Sequence, residues 1–217
     1  MLRLKLDNKS LLLYLVTDRS WLGDQSLISQ VEKSLIEGVT FLQLREKNLD
    51  NESFLNLAIE MKDLACRYDV PFVINDNIDI AIKSDADGVH IGQDDMPIEE
   101  ARKIIGKDKI LGVSAGTVEE AILAEQLGAD YLGVGAIFST NTKKDAQNIS
   151  FETLKNICES VDIPVVAIGG INKENILSLE GSGIDGVSVI SAILAQKNIA
   201  KATYELKDIC ERIFKHD

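Results

Sequence analysis

The sequence predicts an α/β fold, a closed (β/α)8 barrel of the TIM type built as one domain over residues 1–217. Three observations carry that prediction. Short apolar, β-branched runs recur eight times, and amphipathic segments separate them. Such alternation implies parallel strands joined by right-handed crossovers, and eight units in a chain of 217 residues suit one closed barrel. No GxGxxG follows the first strand, as a doubly wound dinucleotide-binding sheet would carry, and no linker or low-complexity tract divides the chain.

The strands read in order as follows. Residues 11–16 (LLLYLV) lead into TDR, 39–44 (VTFLQL) into REK, 71–74 (PFVI) into NDN, and 86–91 (ADGVHI) into GQDD. Residues 110–113 (ILGV) lead into SAG, 129–135 (ADYLGVG) into AIFSTNTKK, 163–168 (IPVVAI) into GGI, and 184–190 (IDGVSVI) into SAI. Helical periodicity marks 21–37 through Leu22, Leu27, Ile28, Val31, Leu35 and Ile36. It also marks 51–68 through Phe54, Leu55, Leu57, Ala58, Met61, Leu64 and Ala65, and 117–127, which opens on a capping box of Thr117 and Glu120. Gly38, Gly128 and Gly183 stop helices just ahead of strands, so EGVTFLQL, LGADYLGVG and SGIDGVSVI share one grammar.

With 45% hydrophobic residues the chain has a core's worth of apolar side chains. Its 35 acids against 23 bases give a net charge of -12, which argues against a nucleic-acid partner. An acidic protein that binds phosphates must gather its cations locally or recruit a metal. Cys66, Cys158 and Cys210 show no CxxC spacing and read as buried or half-buried thiols of a reducing compartment. The first ten residues lack the apolar run of a signal peptide and no stretch approaches a membrane span, so a cytoplasmic location and no membrane partner are expected. Oligomeric state is left open.

In a parallel barrel all strand C-termini open on one face, and that face carries the active site. The polar tags after the strands should therefore meet at one mouth. In 131–144 (YLGVGAIFSTNTKK), Ser139, Thr140, Thr142, Lys143 and Lys144 offer hydroxyl donors and positive charge to a phosphorylated ligand, or form a solvated loop. Gln43, Arg45 and Lys47 alternate at the end of strand two. Arg45 either grips a phosphate bidentately or pairs with Glu46 or Asp50 on the rim. Asn75 and Asp76 end strand three, and Asp94 and Asp95 follow strand four. Carboxylates from adjacent strand ends can share Mg²⁺, with substrate phosphates completing the shell. Asp76 could instead cap a helix, and Asp94 reads as a solvated loop acid. His90 reads as a packed, hydrogen-bonded barrel residue and His216 as an inert tail residue. Ser114 either bonds a phosphate oxygen or caps a turn. Gly169, Gly170 and Ser191, after strands seven and eight, either cradle a phosphate or make tight turns.

Taken together, YLVTD, QLREK, IND, ADGVHIGQDD, GVS, GVGAIFSTNTKK, IGGI and GVSVISAI resemble the thiamine-phosphate synthase (thiamine-phosphate pyrophosphorylase) family, in that family's order and across residues 12–195. The resemblance implies a transferase that joins a pyrimidine alcohol diphosphate to a thiazole phosphate and releases pyrophosphate with Mg²⁺. It implies that Gln43, Leu44, Arg45, Glu46, Lys47, Asn75, Ser114 and Lys143 hold the pyrimidine diphosphate. It gives Mg²⁺ to Asp76 and Asp95, and the thiazole phosphate to Thr140, Asn141, Thr142, Gly170, Ile190 and Ser191. Arg45, Ser114 and Lys143 would serve the leaving group, and loop 139–150 would act as a lid. The chain departs from the family where prolines are replaced by Ala136 and Ser139. Three readings compete: a thiazole tautomerase of the same superfamily, which needs no metal; another phosphate-binding barrel, such as a sugar-phosphate epimerase or indole-glycerol-phosphate synthase, whose paired carboxylates or catalytic lysine are not seen; and a non-catalytic phosphate-ligand sensor.

Overall fold

The computed structural model describes residue 6, residues 8–139 and residues 148–214. Eight parallel strands close on themselves in sequence order: β1 Leu13–Val16, β2 Phe41–Leu44, β3 Phe72–Asn75, β4 Gly88–Ile91, β5 Ile110–Ala115, β6 Tyr131–Val134, β7 Val165–Ile168 and β8 Gly186–Val189. Around them run α1 Leu27–Ile36, α2 Asn51–Arg67, α3 Ile78–Lys83, α4 Ile98–Ile105, α5 Val118–Gln126 and α6 Phe151–Ser160. The crossover after β7 is only a 3-10 turn, Ile176–Leu179, and the short α7 Ser191–Leu194 follows β8. α8 Ile199–Ile213 packs against α1 and completes the ring. The (β/α)8 barrel is thus observed, with one strand at each sequence run, although β3 runs on to Asn75 and β5 to Ala115. No helix among the described residues is long and apolar enough to cross a membrane.

Local chemistry moves several boundaries. Leu11 ends a 3-10 turn, Asn8–Leu11, below the barrel floor instead of opening β1. The first helix starts at its Ser26 cap, not at Trp21, because Gly23 lies at φ +54 and interrupts the run. Thr117 caps α5 by accepting from the Glu120 N–H at 3.2 Å, but the Glu120 carboxylate accepts from the Gly116 N–H at 2.7 Å, so only half of the capping box forms. No helix was singled out over the stretches that form α3, α4, α6, α7 and α8. α3 has six residues, too few for a stripe, and α4 follows Pro97 without a side-chain cap.

Alternation along the strands makes two cores. Outward residues such as Leu15, Leu42, Leu44, Ile74, Val89, Val113 and Leu132 are buried beneath the helices. Inward residues Tyr14, Val16, Phe41, Val73, Ile110, Tyr131 and Val166 fill the lumen, with Leu11 below them. Tyr14, Phe41 and Tyr131 pack edge-to-face, with centroids 4.7 to 5.9 Å apart.

The glycine stops ahead of β6 and β8 are each followed by an acid with a structural role, and a third such acid precedes β4. Asp87, Asp130 and Asp185 each precede an even strand and grip the first turn of the strand before it. Their N–H groups donate to the Phe72, Leu111 and Val165 carbonyls at 2.8 Å in each case. Their carboxylates accept from the N–H groups of those same residues at 2.8 to 2.9 Å. Asp87 also pairs with Lys62 at 2.6 Å, and Asp130 with Arg102 at 2.5 Å. These clamps set register at the closed end of the barrel, opposite the strand C-termini. Asp130→Ala leaves the Leu111 N–H and the Arg102 guanidinium without this acceptor, and should lower unfolding stability by about 2–4 kcal/mol. The exposed Asp79→Ala should change it by less than about 1 kcal/mol, and a denaturant titration of both variants checks the contrast.

Candidate active site

The C-terminal ends of β2, β3, β4 and β5 bring the expected groups together. Gln43, the third residue of β2, points into the lumen and is 4% exposed. Its neighbour Leu44 points outward into the sheet–helix core with no exposed surface, so only its backbone faces the mouth. Arg45 and Lys47 lie past the strand end. The Arg45 N–H donates to the Thr17 hydroxyl at 2.9 Å, and its guanidinium stands 3.6 Å from Asp18. The rim partner of Arg45 is therefore Asp18, not Glu46 or Asp50. Glu46 is taken by Arg19 at 2.7 Å, and Asp50 caps α2 by accepting from the Ser53 N–H at 2.9 Å. The tag after strand one thus orients the tag after strand two, which was visible only as TDR beside REK.

Asp76 adopts φ +61, a left-handed conformation that costs a non-glycine residue about 1–2 kcal/mol. Its N–H donates to the His90 carbonyl at 2.8 Å, and the Asn77 N–H to the Asn75 carbonyl at 2.7 Å. Asn77, not Asp76, caps α3, accepting from the Ile80 N–H at 3.0 Å. The cap reading of Asp76 falls, and a strained acid facing the mouth replaces it. Lys47 Nζ sits 2.7 Å from Asp76 Oδ2. Asp95, on the exposed turn after β4, accepts from the Gly92 N–H at 2.7 Å. Desolvation in this turn pushes the Asp95 carboxyl above the usual carboxylate range, and the Asp76 carboxylate beside it pushes further in the same direction. Two acids from neighbouring strands therefore share one spot, with Lys47 as their counter-charge. Among the described residues no third His, Cys, Asp or Glu joins them. A pair of carboxylates open to solvent fits Mg²⁺, which keeps waters and takes the rest of its shell from phosphates.

Ser114 belongs to β5 itself instead of following it. Its hydroxyl lies 3.0 Å from His90 Nε2, and its carbonyl accepts from Gln93 Nε2 at 2.5 Å. His90 Nδ1 in turn lies 2.9 Å from the Tyr131 hydroxyl, so His90 is a packed lumen residue as expected. Tyr131 was not singled out, although its inward phase follows from strand alternation.

Across the mouth, Gly169 and Gly170 hold φ +99 and +65. A Cβ on Gly170 would come within 2.6 Å of the Ser139 carbonyl, and one on Gly169 within 2.5 Å of the Ala136 side chain. The two glycines make a tight turn that lets the loop leaving β6 lie against β7. Asn172 and Asn175 secure that turn by donating to the Gly170 carbonyl at 3.3 and 2.9 Å. Ile190, half-buried, occupies the N-cap of α7 without a side-chain cap, and Ser191 is exposed beside it. Thr140, Asn141, Thr142, Lys143 and Lys144, with most of the expected lid, lie outside the described residues. Of the thiols, Cys66 is exposed, contrary to expectation, while burial pushes Cys158 and Cys210 up to about 12.

The model of the family described as thiamine monophosphate synthase matches residues 13–193. The chain belongs to that family. A thiamine-phosphate synthase of Clostridium novyi is 54% identical over 198 residues, covering 91% of this chain and 97% of the relative. One from Clostridium botulinum is 50% identical over 201 residues, covering 93% and 94%. The solved thiamine phosphate pyrophosphorylase of Pyrococcus furiosus superposes with a TM-score of 0.89 at 41% identity, covering 96% of this chain and 99% of that one. With membership in the thiamine monophosphate synthase family comes the activity of a thiamine-phosphate synthase, which is a transferase acting on small molecules.

The raised Asp95 carboxyl has a sign that can be checked. A carboxyl whose folded value exceeds its unfolded value stabilises the fold below the unfolded value and loses that contribution as pH rises through the folded one. At neutral pH the ionised Asp95 therefore opposes folding of the metal-free protein. Asp95→Asn should raise Tm at about pH 7, and the gain should shrink toward about pH 4, as thermal melts at the two pH values would register.

Proposed function

We propose that the mouth joins 4-amino-2-methyl-5-hydroxymethylpyrimidine diphosphate to 4-methyl-5-(2-phosphoethyl)thiazole, giving thiamine phosphate and pyrophosphate. The observation that carries this reading is the Asp76–Asp95 pair with Lys47, on the strand ends flanked by Arg45 and Ser114. That set suits a diphosphate leaving group. The bond from the exocyclic methylene carbon to the diphosphate oxygen breaks, and its electron pair leaves on pyrophosphate. The electron-rich aminopyrimidine stabilises the carbon cation, and the thiazole nitrogen donates its lone pair to form the new C–N bond. The step asks the protein for charge stabilisation and exclusion of water more than for a strong base.

Arg45, Lys47 and Asn75 would hold the diphosphate, and Ser114 would donate to one of its oxygens. Lys143 would add charge from the loop after β6. Gln43 would reach the pyrimidine from the lumen, while Leu44 and Glu46 contribute through backbone and through Arg19. Asp76 and Asp95 would hold Mg²⁺, which when bound supplies positive charge to the departing oxygens. Thr140, Asn141, Thr142, Gly170, Ile190 and Ser191 would seat the thiazole phosphate, fixing its nitrogen in line with the carbon. We read the whole chain as one barrel domain working in the cytoplasm.

The deciding experiment mixes the two phosphorylated heterocycles with enzyme and Mg²⁺ and looks for thiamine phosphate. Product that disappears with chelator supports the synthase. Metal-independent tautomerisation without product would favour the tautomerase instead. Asp95→Ala should lower Mg²⁺-dependent turnover by at least about 100-fold with the fold intact. Arg45→Ala should raise KM for the diphosphate by about tenfold and leave KM for the thiazole phosphate nearly unchanged, and equal effects on both would contradict the two pockets.

A further inference from the structure

A chain of hydrogen bonds crosses the lumen beneath the mouth. Gln43 Nε2 donates to the Tyr14 hydroxyl. The Tyr14 and Tyr131 hydroxyls stand 2.8 Å apart, Tyr131 and His90 Nδ1 2.9 Å, and His90 Nε2 and Ser114 Oγ 3.0 Å. Four strands beyond β2 supply the links: β1, β6, β4 and β5. Nothing in the reaction as argued above uses Tyr14, Tyr131 or His90.

Counting protons gives the chain a direction. A hydroxyl has one proton to donate. Burial pushes both phenols well above the ordinary tyrosine value, so each keeps its proton at neutral pH. With Gln43 donating to Tyr14, the sense in which every hydroxyl both accepts and donates within the chain sends the Tyr14 proton to Tyr131. The Tyr131 proton then goes to His90 Nδ1. With Nδ1 accepting, a neutral imidazole carries its proton on Nε2 and donates it to Ser114 Oγ. The Ser114 proton is left to point away from the lumen. Run in the opposite sense, the chain would draw the Ser114 proton onto His90 Nε2 and turn only lone pairs toward an anion.

We propose that Tyr14, Tyr131 and His90 are positioning residues, which lock His90 in its Nε2–H tautomer and so present the Ser114 hydroxyl as a donor to an anionic oxygen at the mouth. The proposal rests on the reading of that mouth as a diphosphate site. It assigns His90 no proton transfer: the ring acts by holding one tautomer. It also accounts for glycine at 112 and 133. A Cβ on Gly112 would lie 2.2 Å from the Tyr131 ring and 2.5 Å from His90 Nδ1, and one on Gly133 would lie 3.0 Å from His90 Cε1.

The chain has two histidines, so His90→Gln identifies the His90 signals in a long-range ¹H–¹⁵N spectrum of uniformly ¹⁵N-labelled protein. Wild type should show His90 protonated on Nε2 with a bare Nδ1 at about pH 7.5, above the usual histidine range. Tyr131→Phe should show both tautomers and a kcat lowered by about tenfold, with KM for the thiazole phosphate unchanged. In a Ser114→Ala background the same change should cost nothing further, since the effect travels through that hydroxyl. If Tyr131→Phe does not fold, Tyr14→Phe carries the same measurements. An Nδ1–H tautomer in the wild type overturns the proposal, and so does a Tyr131→Phe loss undiminished in the Ser114→Ala background. Failure of the functional reading looks different: wild type forms no thiamine phosphate while the tautomer, read without substrate, is the predicted one.

Discussion

Tyr131 reaches from β6 into the lumen, and the barrel closes around it and His90 because Gly112 and Gly133 carry no side chain. A closed barrel must fill its interior to the density of a crystal. Here the lumen is filled by Tyr14, Phe41, Val73, Ile110, Tyr131 and Val166, with Gln43 and His90 bonded to the two tyrosines. Polar side chains at that depth are tolerated because each donates or accepts within one connected chain. The chain ends on Ser114, where the lumen meets the mouth. Core and site are therefore one structure: the packing that lets eight strands close also fixes the Ser114 hydroxyl at the mouth.

The mouth is built against the charge of the molecule. With a net charge of -12 the surface repels anions at long range, so capture depends on groups within a few ångströms. Arg45 and Lys47 are each kept beside an acid, Asp18 and Asp76. Such pairs hold long side chains near the mouth without leaving bare charge there. On the proposed reading, a bound diphosphate would exchange these carboxylate partners for phosphate oxygens. Asp76 and Asp95 crowd each other, and the proposed cation would relieve them by placing positive charge between them. The strain at Asp76, its left-handed backbone and its neighbour of like charge all lie in one place, as expected where function and stability compete.

The strand order, the common mouth and most of its lining were legible from residue pattern, because period-two alternation and glycine stops encode a barrel directly. Arg45, Lys47, Asp76, Asp95 and Ser114 do sit on adjacent strand ends. The partners of those residues were not legible. Asp18 meets Arg45 only through closure of β1 on β2, a separation of 27 positions that no local spacing reveals. Asn77 took the cap expected of Asp76 because the helix starts one residue later, a difference that both side chains would satisfy. The GlyGly pair reads locally as a phosphate cradle or a tight turn, and only the closed barrel shows that the turn admits the β6 loop. Tyr14 and Tyr131 looked like ordinary strand aromatics, and only the register of strands far apart in sequence shows that their hydroxyls meet.

The central claim is that polar ends of separate strands assemble one site for a diphosphate and a divalent ion. The measurement that tests it most directly is a crystal structure of this protein grown with inorganic pyrophosphate and Mg²⁺. Pyrophosphate should lie over the ends of β2 to β5, with Ser114 Oγ and Arg45 in hydrogen-bond reach and the ion between Asp76 and Asp95. Pyrophosphate bound instead at the opposite end of the barrel, or an ion held without either aspartate, would contradict the account.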